Sequence, residues 1–217
     1  MTSLKKKKRK PKLAPRFELY KNTNCRCFVL KSFSEANFHK SLKFGIWSTT
    51  SLHNALLDQV FKSDLTAVRP VLFFFSICGT KHFNGVARMT SKVRTDVKFQ
   101  LWEKLKYEGY FHVEWLLVKD VPNCVFTGVK MSNTPSKKSI TSCWDCEEVP
   151  YEEANEFLTI FTGFNSRSTA WDDFDHYDQL QEQIQRKRGL VSSAEADKTD
   201  LNLFLVPVHP EEPVSIV

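Results

Sequence analysis

The chain has 217 residues, 41% of them hydrophobic and 18 of them Phe, a composition that can bury one substantial core and leaves residues over for tails. Its formal net charge of +6 is unevenly spread: residues 1–16 carry eight Lys or Arg and no acid, residues 17–144 amount to +9, residues 145–178 to −9 and the remainder to −2. No apolar stretch nears the roughly 20 residues that cross a bilayer, and no secretory apolar core follows the N-terminal lysines, so a soluble, intracellular protein without membrane contact is expected.

The run Lys5 to Lys12 is too charged to pack, and residues 1–24 are expected to form a disordered basic arm. Three uses are open to it: nuclear import, which we prefer, a non-specific RNA tether, or simple solubility. The location expected is therefore nuclear, cytoplasmic or both. Cys27 to Leu30 reads as a strand, followed by a helix from about Ser34 to Phe44 with Ser32 and Glu35 at capping-box spacing. Leu52, Leu56, Val60 and Phe61 recur at helical intervals and predict a second helix over 51–62. Val71 to Ile77 is a continuous apolar run, too short for a core helix, and reads as a buried strand. Phe83 to Met89 is its expected neighbour, with Gly85 where a bulge or close approach needs it. Residues 102–109 look like a charged loop. Phe111, Val113, Trp115 and Leu117 alternate along a strand ended by Pro122-Asn123, which places Trp115 in the core. Pro150 suits the first position of a helix whose apolar face is Tyr151, Ala154, Phe157, Leu158 and Phe161. Trp171, Phe174 and Tyr177 suggest a last helix packed on the domain. Residues 181–217 are expected to be a mostly disordered tail, with one short apolar patch at Leu201 to Val206 that can dock. Helices and strands are thus mixed in one α+β domain over 25–180, without internal repeats.

The basic half of the chain would draw a polyanion through phosphate contacts; equally, it describes a solvated lysine-rich surface, and charge alone does not separate the two. Trp47, Trp102 and Tyr107 lie on segments that read as loops, where large aromatics serve either as contact surfaces or as plugs docked onto the core.

In order, Lys31-Ser32, Gly45 to Thr49, His82 to Ala87, Phe111 to Trp115, Val118 to Asn123, Glu148 to Pro150 and Asp172 to Phe174 resemble the YTH family, whose members bind N6-methyladenosine in RNA. The resemblance covers about residues 25–178. It implies a curved, barrel-like mixed sheet of about six strands packed with several helices, a single-stranded RNA groove, and a preference for the bases around the modified one. It implies an aromatic cage of Trp47, Trp102 and Tyr107, closest to fungal members in having Tyr at the third position. It implies base hydrogen bonds from Asn37, whose amide would donate to adenine N1, and to the Ser48 carbonyl. Asn54 is either a further base contact or an ordinary exposed helix residue. Lys31, Ser32, Phe33, Lys138, Trp144 and Asp145 match positions that meet the RNA backbone and flanking nucleotides. Trp144 stands where many relatives have Arg; Trp stacks but cannot neutralise phosphate, so Lys138 either carries that charge or is a mobile loop lysine.

Two aromatic walls stack on a flipped-out base whatever its identity, so selectivity must come from N6. The second N6 hydrogen of plain adenine would be buried without an acceptor, at about 1–3 kcal/mol; a methyl removes that cost and adds roughly 0.8 kcal/mol of burial. No nucleophile elbow or phosphate loop is present, and neither catalysis nor a cofactor is expected. Cys25, Cys27, Cys143 and Cys146 would offer four thiolates, but C-x-C spacing is atypical of zinc ribbons and no metal is expected. A zinc-stabilised or cage-inactive interaction adaptor is the alternative. The partners expected are methylated single-stranded RNA and effector proteins reached through the tails, with the protein itself a monomer.

Overall fold

A computed structural model describes residues 24–67, 69–104, 107–190 and 199–208; the basic run of the N-terminal arm and the chain after residue 208 lie outside them. The central feature is a curved, six-stranded mixed sheet. Its strands are β1 (Arg26–Ser32), β2 (Ile46–Trp47), β3 (Val71–Ile77), β4 (His82–Met89), β6 (Phe111–Pro122) and β7 (Glu147–Val149), in the spatial order β2-β6-β4-β3-β1-β7. β1 and β3 run parallel and the other neighbours antiparallel. Two short strands, β5 (Val97–Phe99) and β8 (Leu205–Pro207), pair with each other and, among the described residues, with no other strand.

All seven residues of β3 are buried, because both faces of the sheet are covered. On one face Phe73 and Phe75 join Phe28, Leu30 and Phe38 beneath helices α1 (Glu35–Phe44) and α2 (Ser51–Ala67). On the other, Phe74 stacks on Phe157 of helix α3 (Tyr151–Gly163) with ring centroids 4.1 Å apart, and Phe126 stacks on Phe157 at 4.6 Å. Gly85 sits at a register shift between β4 and β6; a Cβ there would lie 2.8 Å from the Trp115 ring, so the expected close approach is present. Trp115 packs edge-on against Phe38 at 4.9 Å, but it is only partly buried, and its indole N–H donates to the Ser41 carbonyl at 3.1 Å. It is a brace between β6 and α1 rather than a deep core residue.

Several expectations need correction. The N-cap of α1 is Ser34, whose hydroxyl accepts from the Asn37 N–H; Ser32 instead donates to the Ser34 carbonyl. Pro150 is the cap before α3 rather than its first residue. In α2 the buried stripe is Asn54, Leu57 and Val60, leaving Leu52 and Leu56 exposed. Helix α4 (Phe174–Lys187) runs past residue 180, and residues 199–208, which hold the apolar patch expected to dock, lie on the body and bury Phe204.

α4 lies on α1 through an unusual contact. His39 is 2% exposed, sits 4.3 Å from the Phe174 ring, and has no hydrogen-bond partner at either ring nitrogen. Burial holds its pKa down at about 4. An unfolded histidine titrates near 6.5, so between about pH 6.5 and 4 the unfolded chain takes up a proton that the folded chain refuses. The stability present above pH 6.5 is therefore lost as pH falls to about 4, by roughly 3 kcal/mol. His39→Phe should flatten this acid limb, which urea unfolding midpoints across that interval will check.

Candidate nucleic-acid interface

The site lies at the carboxyl end of β1, where α1 begins and β2 passes into α2. Because Ser34 caps α1, Asn37 falls in its first turn with the side chain turned toward the 102–107 segment. At the other end of α1, Gly45 takes φ 63° and donates its N–H to the Ser41 carbonyl. This left-handed turn reverses the chain into β2 and delivers Trp47 beside Asn37. β5 leads into Trp102, and Tyr107 lines the same recess. Together Lys31, Ser32, Phe33, Asn37, Trp47, Ser48, Trp102, Tyr107 and Asp145 line one narrow recess, with about 40 Å³ open to the centres of water molecules.

The two indoles are less open than the loop reading suggests. Trp47 is 5% and Trp102 is 2% exposed. Their ring centroids lie 5.7 Å apart at 70°, and Trp47 also packs edge-on against Phe75 at 4.9 Å. Rings at 70° form a corner, not two parallel walls: a planar ligand flat on one presents its edge to the other, and the opposing wall must come from the half-buried Tyr107. Both indole N–H groups are buried without a hydrogen-bond partner. Such orphan donors cost stability and are concentrated where a structure serves something besides its own packing.

The polar groups are held in defined orientations. The Asn37 side-chain oxygen accepts from the Glu103 N–H at 3.2 Å and from the Lys40 ammonium at 3.4 Å. Two donors on the oxygen fix the amide, so its NH2 group is the one left to donate into the recess. The Ser48 carbonyl accepts from no described residue. Lys40 is itself buried, and burial lowers its pKa to about 8.

Three expected RNA contacts make bonds within the domain. Asn54 is 2% exposed: its oxygen accepts from the Thr49 N–H at 3.2 Å, while its NH2 group donates to the carbonyls of Thr49 at 3.3 Å and Glu108 at 2.9 Å. Asp145 accepts from the Lys31 N–H at 2.8 Å and the Thr49 hydroxyl at 3.0 Å, and lies 3.4 Å from His53. The Lys138 ammonium pairs with Glu147 at 2.7 Å, so its charge is already neutralised. Lys31 has no carboxylate partner among the described residues; its ammonium lies 5.5 Å from the centre of the Phe83 ring, and burial lowers its pKa against the pull of Asp145 and Glu147. Phe33 and Trp144 are exposed rings, 63% and 78% accessible, and Lys104 lies over Phe33 at 5.5 Å. Thr49 and Glu103, which organise the recess through backbone groups, carry no sequence signal.

Burial pushes the thiol of Cys25 up to about 11 and those of Cys143 and Cys146 up to about 12, and no group of three or more potential ligands forms among the described residues.

A family model described as the YT521-B-like domain, YTH, matches residues 25–162. The chain belongs to the YTH family. Mouse YTH domain-containing family protein 1 is 38% identical over 158 residues, covering 73% of this chain and 28% of that protein. Human YTH domain-containing family protein 3 is 38% identical over 165 residues, covering 76% of this chain and 28% of its own length. The chain thus spans little more than a quarter of the curated relatives it matches. Among solved structures, the Pho92 YTH domain in complex with m6A is similar at a TM-score of 0.61 and 33% identity, over 66% of this chain and 89% of that one. The YTH domain of Zygosaccharomyces rouxii MRB1 in complex with N6-methyladenosine RNA follows at 0.60 and 31%, over 66% and 90%. The recess therefore sits within the matched YTH region, whereas α4 and residues 199–208 lie beyond it.

Asn54→Ala would strip partners from the Thr49 N–H and from two carbonyls around the recess. It should cost about 1–3 kcal/mol in denaturant unfolding, which an exposed helix asparagine would not.

Proposed function

We propose that this YTH domain reads N6-methyladenosine in single-stranded RNA, taking the flipped-out base into the recess between Trp47, Trp102 and Tyr107. One observation carries the reading: an amide NH2 from Asn37 and a carbonyl from Ser48, neither bonded to another described residue, converge on an aromatic corner. Adenine complements this set. N1 takes the Asn37 donor, the single N6 hydrogen goes to the Ser48 carbonyl, and the methyl lies against an indole. The similarity to two domains solved with m6A supports the assignment.

Nothing in the recess is arranged for bond making, so the role is binding, without catalysis or cofactor. Flanking nucleotides would stack on the exposed rings of Phe33 and Trp144, with Lys31 and Lys104 near their phosphates. The fate of the bound transcript, whether stability, processing or translation, would then be set by effectors recruited outside the domain, to which a monomer suffices. The basic N-terminal run would serve nuclear import or tether RNA.

A short RNA carrying one N6-methyl should bind at least about tenfold more tightly than its unmethylated twin, the equivalent of about 1.4 kcal/mol. Equal affinities of the twins in a fluorescence titration would end this reading. Raising salt should weaken both RNAs in parallel and leave their ratio nearly constant, since the rings, amide and carbonyl that would read the methylated base are uncharged. Tyr107→Ala should lose methyl preference with little change in melting. Trp47→Ala, which also opens a cavity against Phe75, should lose both, at roughly 3–5 kcal/mol of stability.

A further inference from the structure

We infer that residues 199–208, together with Arg188 at the end of α4, form a strap that positions Trp102 and so belongs to the recognition apparatus; this rests on the reading of the recess given above. Among the described residues β5, the strand that leads into Trp102, has one ladder partner, β8, with Val97, Lys98 and Phe99 opposite Pro207, Val206 and Leu205. The ladder extends at both ends. Gln100 donates its N–H to the Phe204 carbonyl at 2.9 Å, and Val208 donates to the Asp96 carbonyl at 2.9 Å. Without the strap, these strand groups have no backbone partner.

A chain of rings carries the same support inward. Phe204 is 2% exposed and packs edge-on against Phe44 at 5.7 Å and Phe99 at 6.3 Å; Phe99 in turn meets Trp102 at 5.1 Å, and Trp102 meets Trp47 at 5.7 Å. Arg188 closes the other side: its guanidinium donates to the Gln100 carbonyl and, at 3.3 Å, to the Trp102 carbonyl. The N–H of the next residue, Glu103, is the donor that orients Asn37. The strap therefore bears on the ring at the base of the corner and on the backbone that aims the Asn37 amide. Residues 199–208 are not themselves part of the recess lining, and they lie outside the 25–162 family match.

The test uses the full chain with Phe204→Ala, Phe204→Leu and, as a control against the opposite face of the sheet, Phe164→Ala. Phe204→Ala should weaken methylated RNA at least about fivefold and unmethylated RNA less than about twofold, because supporting groups fix the geometry of a site rather than its general affinity. Phe204→Leu, which refills most of the space, should restore the ratio, and Phe164→Ala should lower melting without changing it. Hydrogen exchange gives an RNA-independent reading: amides of residues 97–103 should exchange faster in Phe204→Ala and unchanged in Phe164→Ala. Unaltered exchange there, or a full methyl preference retained by Phe204→Ala, would overturn the strap. Faster exchange in a protein whose wild type shows no methyl preference would uphold the positioning of Trp102 and sink only the reading of the recess.

Discussion

Every polar group of Thr49 is held by a side chain from elsewhere in the domain. Asn54 takes its N–H and its carbonyl, and Asp145 takes its hydroxyl. The same two side chains reach further, Asp145 to the backbone of Lys31 and Asn54 to the carbonyl of Glu108. Four separated stretches of chain are thereby fixed to one residue, and they carry Ser32, Ser48 and Tyr107, three sides of the recess. An irregular turn with its own peptide groups left to water would sample many orientations of the Ser48 carbonyl. Buried bonds of this kind, each costly to leave unmade, select one.

The recess is correspondingly embedded in the core. Trp47 lies against Phe75, the middle of the most buried strand, and Trp102 belongs to the Phe44, Phe99 and Phe204 cluster. Stability and recognition share the same rings, and the orphan indole N–H groups, together with a lysine buried beside Asn37, are where the domain gives up stability. Positive charge is spent sparingly near the corner. Lys138 is matched by Glu147, which also accepts the Trp144 N–H, so the rim at Trp144 offers a ring without net charge.

Much of this was readable before any coordinates. The run Val71 to Ile77 announced a strand buried on both faces, the alternation from Phe111 gave β6, and the order of Trp47, Trp102 and Tyr107 within a familiar frame located the recess. What sequence could not resolve has physical causes. Leu52 and Leu56 share helical spacing with Val60, but periodicity does not say which of two adjacent stripes faces inward. Here a polar residue, Asn54, took the inner position because backbone groups awaited it. The pairing of Lys138 with Glu147 joins two loops, where no period exists to read. Phe204 sits in a short apolar patch whose partner strand lies a hundred residues upstream in the chain, a contact beyond any local signal. Trp47 and Trp102 adjoin polar or charged runs yet are buried, Trp47 because the two-residue strand β2 pairs with β6 and Trp102 because it packs on Phe99, neither of which leaves a periodic signal.

The parallel pairing of β1 with β3 has a kinetic corollary. Parallel strands cannot be joined by a hairpin, and here the crossover of residues 33–70 contains α1, β2 and α2, hence Asn37, Trp47, Ser48 and Asn54. Closing so long a loop costs entropy that no local contact repays, and the edge strand β2 pairs only with β6, far later in the chain. The recess is therefore a late product of folding, assembled after the central strands have met. During synthesis it stays unformed until β6 has left the ribosome, so a nascent chain displays its aromatic residues well before it owns a site for them.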